Sequence, residues 1–253
     1  MQDWENYALA SLAVLFIGLS KAGFGGGLGM LTTPLCALAF PPKEAVGMVL
    51  PLLCAGDLFS LYHYRGKWDA RNLKFLLPGA VAGIVVGVHF IGHFSARELN
   101  IAIGIIAVTF VLFHLVRETI FRAEGAFAPN HKIGIPCGVA AGVTSSFAHG
   151  AGPVVSMFLV PQRLPKEIFV GTNVLVFFWI NWIKVPFFVT NGVITQTTLF
   201  KSLYFLPLVP LGVWLGIWLN RRFNEAWFLR VVLIALFLSG LQLIFNFRFT
   251  SGH

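Results

Sequence analysis

Charged residues are scarce in this sequence: Asp, Glu, Lys and Arg make up 11% of its 253 residues, against about a quarter in an ordinary soluble domain. With 57% hydrophobic residues and a mean hydropathy of +0.80, that shortage excludes an aqueous globular fold. Acidic residues are the rarer sign, 10 against 18 Lys and Arg. There is no HExxH motif, no pair of neighbouring carboxylates in an apolar segment, and no second His in apolar sequence near His149. An intramembrane enzyme therefore lacks visible machinery, and no cofactor or metal is implied. Cysteine is limited to Cys36, Cys54 and Cys137, each in apolar sequence without CxxC spacing. They read as buried thiols and not as a disulfide framework or a metal site. The amino terminus, Met1 to Asn6, lacks the basic stretch of a cleavable signal peptide, so the first apolar segment is expected to stay in the mature chain.

What is present is a series of apolar stretches of roughly bilayer-spanning length. Six read as ordinary spans: Ala45 to Tyr62, Phe75 to Ile91, Leu99 to Val116, Ile168 to Val189, Leu199 to Leu219 and Ala226 to Phe245. Two more, Tyr7 to Phe40 and Ile133 to Pro161, are too long for one crossing and are interrupted by glycine. The basic residues sit in short loops beside these segments, which is the charge bias of cytoplasmic loops and not a nucleic-acid surface. Arg65, Lys67, Arg71 and Lys74 form the densest basic cluster and are placed in the cytoplasm. Keeping Arg163 and Lys166 on that side as well requires Ile133 to Pro161 to enter and return as a broken hairpin. The same reasoning makes Tyr7 to Phe40 a hairpin and puts both termini outside the cytoplasm.

The two halves match. Gly27 and Gly29 correspond to Gly150 and Gly152, and Pro42-Lys43-Glu44 to Pro165-Lys166-Glu167, at one offset of 123 residues (150 − 27). One residue further on, Gly47 pairs with Gly171 and Asp57 with Asn181; then Gly66 with Gly192, Pro78 with Pro207, Gly83 with Gly212 and Gly87 with Gly216. The expected fold is an all-α integral membrane protein of two inverted repeats, each a broken hairpin plus three transmembrane helices. The repeats are residues 1–117 and 133–253, with a cytoplasmic linker at 118–132. Inverted repeats with glycine-interrupted segments at matching positions point to a secondary transporter with a site near the bilayer midplane. An anion channel shares that logic, and counter-flow separates the two.

At Gly23-Phe24-Gly25-Gly26-Gly27-Leu28-Gly29 with Pro34 beyond, and again at His149-Gly150-Ala151-Gly152-Pro153, the sequence resembles the TauE/SafE family of anion exporters. The likeness covers nearly the whole chain and includes both Pro-Lys-Glu turns. It implies an inner-membrane exporter of sulfite, an organosulfonate or a related small organic acid.

Glycine runs let backbone approach a ligand closely, and the amino ends of returning half-helices offer N–H groups and partial positive charge to an anion. The candidate substrate-binding residues are Lys21, Gly25, Gly26, Gly27, Gly29, Thr33, Ser145, Ser146, His149, Gly150, Gly152 and Asn173. Each has a plainer alternative: tight packing for the glycines, backbone bonding for the hydroxyls and the amide, an ion pair or snorkelling for Lys21. Asp57 is the one carboxylate well inside an apolar span and reads either as a proton or cation carrier or as the ion-pair partner of Lys21 or Lys184. His149, Asn181 and Lys184 join it as coupling candidates, with Lys184 near enough to its helix end to snorkel. The expected partners are a small anionic substrate, a coupling proton or cation, and the lipid bilayer. Nucleic acid is not among them, and a homodimer stays open.

Overall fold

The structure is a computed structural model that describes residues 3–21, 28–123, 128–222 and 225–246. These residues form eleven α-helices and two 3₁₀ turns, with no strand among them. The helices are α1 (Asp3–Lys21), α2 (Thr32–Ala39), α3 (Pro42–His63), α4 (Arg71–His93), α5 (Ala96–Ala123), α6 (His131–Ala148), α7 (Gly152–Leu159), α8 (Lys166–Thr190), α9 (Gln196–Phe205), α10 (Leu208–Arg222) and α11 (Glu225–Phe245). The 3₁₀ turns, Leu28–Leu31 and Val160–Gln162, flank the short helices. A chain this apolar has one way to satisfy its backbone in hydrocarbon without a closed barrel, and that is helix throughout.

Local chemistry sets the helix ends. α3 and α8 each start behind a proline in extended geometry, Pro41 or Pro165, and carry Glu44 or Glu167 in the first turn, where a carboxylate favours the helix dipole. Both are followed by a tight turn through a left-handed glycine, Gly66 at φ 78° and Gly192 at φ 61°. Asn130 caps α6 by accepting from the Ile133 N–H at 3.1 Å, and Thr195 and Thr198 form a reciprocal box at the start of α9.

Counted on the described residues alone, four helices are long and apolar enough to cross a bilayer unbroken: α3, α4, α5 over Ala96–Val116, and α8. The fifth expected span, Leu199 to Leu219, is not one helix. It is α9 and α10, bent by 41° at the break, where Pro207 has no N–H to give the ladder and crowds the preceding turn. Its counterpart Pro78 lies inside an uninterrupted α4. The sixth, Ala226 to Phe245, falls within α11, a single helix of 21 residues. In the region 118–132, α5 continues to Ala123 and α6 begins at His131.

α3 packs against α8, and apolar side chains such as Val85, Leu115, Trp214 and Ile234 face outward. The closest packing is backbone on backbone. A Cβ added at Gly79 or Gly83 of α4 would lie 2.1 Å from the Ile135 or Val139 carbonyl oxygen of α6, and one at Gly138 would lie 2.1 Å from that of Leu76. α1 meets α10 in the same manner, with a Cβ at Gly18 only 2.3 Å from the Val209 oxygen and one at Gly212 only 2.5 Å from the Leu15 oxygen. Small residues are what allow such approach in a membrane, where apolar burial gives helices no reason to associate. Gly47 of α3 lies under the Val193 carbonyl, and Gly171 of α8 lies under that of Lys67. Contacts made in one half thus recur with the halves exchanged.

Candidate functional site

The break between α6 and α7 is made by a residue that costs something to place there. His149 ends α6 in the left-handed region, φ 51° and ψ 29°, a conformation worth roughly 1–2 kcal/mol of strain for a residue with a Cβ. Three bonds hold it: its N–H donates to the Ser145 carbonyl at 3.0 Å, and its two ring nitrogens lie 3.0 Å from the Val46 carbonyl oxygen and 2.8 Å from Lys184 Nζ. Chemistry assigns the protons. A carbonyl only accepts, so Nε2–H donates to Val46; a lysine ammonium only donates, so Nδ1 accepts. His149 is therefore a neutral imidazole with both nitrogens engaged by protein.

Lys184, on α8, is fully buried and does not snorkel. Besides His149 it donates to the Ser145 carbonyl oxygen at 3.1 Å and the Ser145 hydroxyl at 2.8 Å, and its ammonium lies 5.7 Å from the centre of the Phe188 ring. Asp57 on α3, equally buried, accepts from the Asn181 amide at 2.7 Å, three residues before Lys184 on α8. A charge buried alone in this setting would cost several kcal/mol. Here a cation, a carboxylate and neutral donors share one network spanning α3, α6 and α8.

This network forms one wall of a cavity of about 100 Å³, room for a molecule of several heavy atoms on a measure where one water occupies roughly 10–15 Å³. Its polar lining comes from Ser20 at the end of α1, Ser60 and Tyr64 along α3, Ser145 and His149 at the end of α6, and Asn173 and Asn181 on α8. Apolar side chains including Ile17, Met30, Leu53, Val174 and Phe177 complete it. No described lining residue carries a formal charge. Ala151 and Gly152, at the amino end of α7, also face the cavity, and that end has no side-chain cap.

The residues singled out from sequence separate into groups. Gly29, Ser145, His149, Gly152, Asn173 and Asn181 come together at the cavity. Lys184 and Asp57 stand one layer behind it. Ser146 is turned away, donating to the Gly142 carbonyl at 2.9 Å and packing on Gly87. Gly150 packs against Ile106 and Met30, and its N–H is taken by the Thr144 carbonyl at 3.2 Å. Thr33 is fully buried outside the lining, its hydroxyl without a partner among the described residues. Thr32 and Thr172 spend their hydroxyls on the backbone of Ala13 and Ile168. Gly25, Gly26 and Gly27 lie outside the described residues, as does the side chain of Lys21. Cys36 and Cys54 are buried and in no disulfide, whereas Cys137 is only half-buried.

Sequence reasoning passed over Ser20, Ser60, Tyr64 and Met30. A signal for two of them was present: Leu53, Asp57, Ser60 and Tyr64 follow one another at spacings of four, three and four, which is one helix face.

A family model described as sulfite exporter TauE/SafE matches residues 10–243. No curated protein and no solved structure matches the chain significantly. The family match takes in α2 to α10 and every described residue of the cavity, so the chain belongs to the TauE/SafE sulfite exporter family, membrane transporters of small anions and not enzymes.

Proposed function

We propose that this chain is a secondary transporter that exports a small anion, whether sulfite, an organosulfonate or a related organic acid, by alternating access around the cavity between α3, α8 and the two hairpins. The observation that carries the reading is the layering of the site. Hydroxyl and amide donors face an uncharged cavity beside the amino end of α7, while the buried cation Lys184 stands directly behind Ser145. Neutral donors backed by a fixed cation attract an anion without gripping it, as a carrier that must release its cargo requires.

The inverted repeat is part of the proposal and rests on reciprocal contacts. Gly47 under Val193 answers Gly171 under Lys67. Matched positions Asp57 and Asn181 bond to each other, as equivalent residues do only where they meet the axis relating two copies. Rocking of one copy against the other would open the cavity to one face of the membrane and then the other. The two Pro-Lys-Glu turns supply an ion pair at each end. Glu44 pairs with Lys201, each about a quarter exposed, and Glu167 with Lys67 at 3.1 Å, half exposed or more.

Coupling to a proton or cation is assigned to Asp57, His149, Asn181 and Lys184, the one buried ionic network among the described residues. The bacterial inner membrane with both termini extracytoplasmic, and assembly as a homodimer, complete the proposal. Counter-flow in proteoliposomes tests it: external sulfite or sulfonate accelerates loss of preloaded label from a carrier. Loss that external substrate leaves unchanged identifies a pore and overturns alternating access.

A further inference from the structure

Lys184 does not reach the cavity, and we propose that Ser145 is the residue that carries its charge there: the anion is bound by the Ser145 hydroxyl, and Lys184 is a positioning residue that acts through it. The inference deepens the anion-transport reading above and rests on it.

Proton counting leads to this assignment. An ammonium has three N–H bonds, and Lys184 spends them on the Ser145 carbonyl, the Ser145 hydroxyl and His149 Nδ1. None is left to point at a ligand. His149 has no donor to offer either, since Nε2–H is given to Val46. The Ser145 oxygen accepts from Lys184, so its own proton points away from the ammonium. The neighbouring hydroxyls return theirs to the helix, Thr144 to the Ala140 carbonyl at 2.8 Å and Ser146 to the Gly142 carbonyl at 2.9 Å. Ser145 makes no such bond among the described residues, and it is the one of the three that lines the cavity. A hydroxyl that accepts from a cation is polarised and becomes a stronger donor to an anion. The left-handed turn at His149 then has a purpose, because it seats the imidazole where it fixes the ammonium against Ser145.

The test is a double-mutant cycle on binding of sulfite and of methanesulfonate to the purified protein, read by calorimetry. Ser145→Ala is expected to weaken binding at least about tenfold, Ser145→Thr to restore it, and Lys184→Met to cost as much as Ser145→Ala. The double variant is expected to bind no worse than the weaker single one. Losses that add overturn the relay, because Lys184 would then touch the anion itself. Should Lys184→Met fail to fold, Ser145→Thr, Ser145→Cys and Ser145→Ala decide the matter, since a thiol is a weak donor. Affinity falling in that order supports the proposal, and equal affinities overturn it. Absence of binding to the unmodified protein overturns the anion reading and the relay together. Unimpaired binding to Ser145→Ala overturns the relay alone.

Discussion

Asp69 shows how a single side chain fixes a loop at the membrane surface. Its carboxylate receives Arg71 Nε at 2.9 Å and Nη2 at 2.8 Å, while its backbone N–H donates to Thr172 of α8 at 2.9 Å. The guanidinium bond is the largest cause holding the Asp69 carboxyl below its ordinary range. A carboxyl with a lowered folded-state pKa contributes stability that is present above its unfolded value and lost as pH falls through the folded one. Asp69→Asn is therefore expected to melt slightly below the unmodified protein at neutral pH, the gap closing in acid below about pH 4. Melting in detergent across pH checks it, and a constant gap would contradict the assignment. At this scale the sequence was informative about residue type and silent about partners. Ser145 and Ser146 are indistinguishable neighbours in the chain, yet only one faces the cavity, because 100° of helix rotation separates adjacent side chains.

Among the elements, α4 and α6 depend on glycine more than on any apolar side chain. Replacing Gly83 by Ala would press a methyl group to 2.1 Å from a backbone oxygen, and neither helix can yield without moving the other. A cost of about 2–4 kcal/mol is expected, in line with overpacking. Gly92, on the same helix, has nothing within 4 Å of an added Cβ, so Gly92→Ala should stabilise by about 0.5–1 kcal/mol through lower backbone entropy in the unfolded chain. Thermal melting of the two variants checks the pair, and equal effects would refute the packing account. The four unbroken spans were legible because apolar length alone marks them. The split at Pro207 was not, since the matched Pro78 is accommodated inside an unbroken α4 and the residue type does not distinguish the two.

For the whole molecule, the two ion pairs on the Pro-Lys-Glu turns differ in how far they are covered, and the proposed alternating access gives that difference a testable consequence. Glu44 and Lys201 are mostly covered, with the Lys201 ammonium also 4.5 Å from the Phe40 ring, whereas Glu167 and Lys67 are largely in solvent. Glu44→Gln is expected to raise labelling of a cysteine placed at Ser20, in a chain lacking its three native cysteines, by an impermeant maleimide added on the Glu44 side. Glu167→Gln is expected to leave that labelling unchanged or lower it. The reverse order would count against alternating access with these pairs closing its two ends. By itself the sequence determined that the chain lives in a bilayer, that its halves match in residue pattern and that glycines interrupt apolar sequence at corresponding positions, because hydropathy, charge bias and glycine spacing are properties of order along the chain. Only the tertiary structure decided which polar groups meet. The bonds from Lys184 to Ser145 and His149, and from Asn181 to Asp57, join residues 39, 35 and 124 positions apart, and a spacing that long carries no local physical signal until helices are packed side by side.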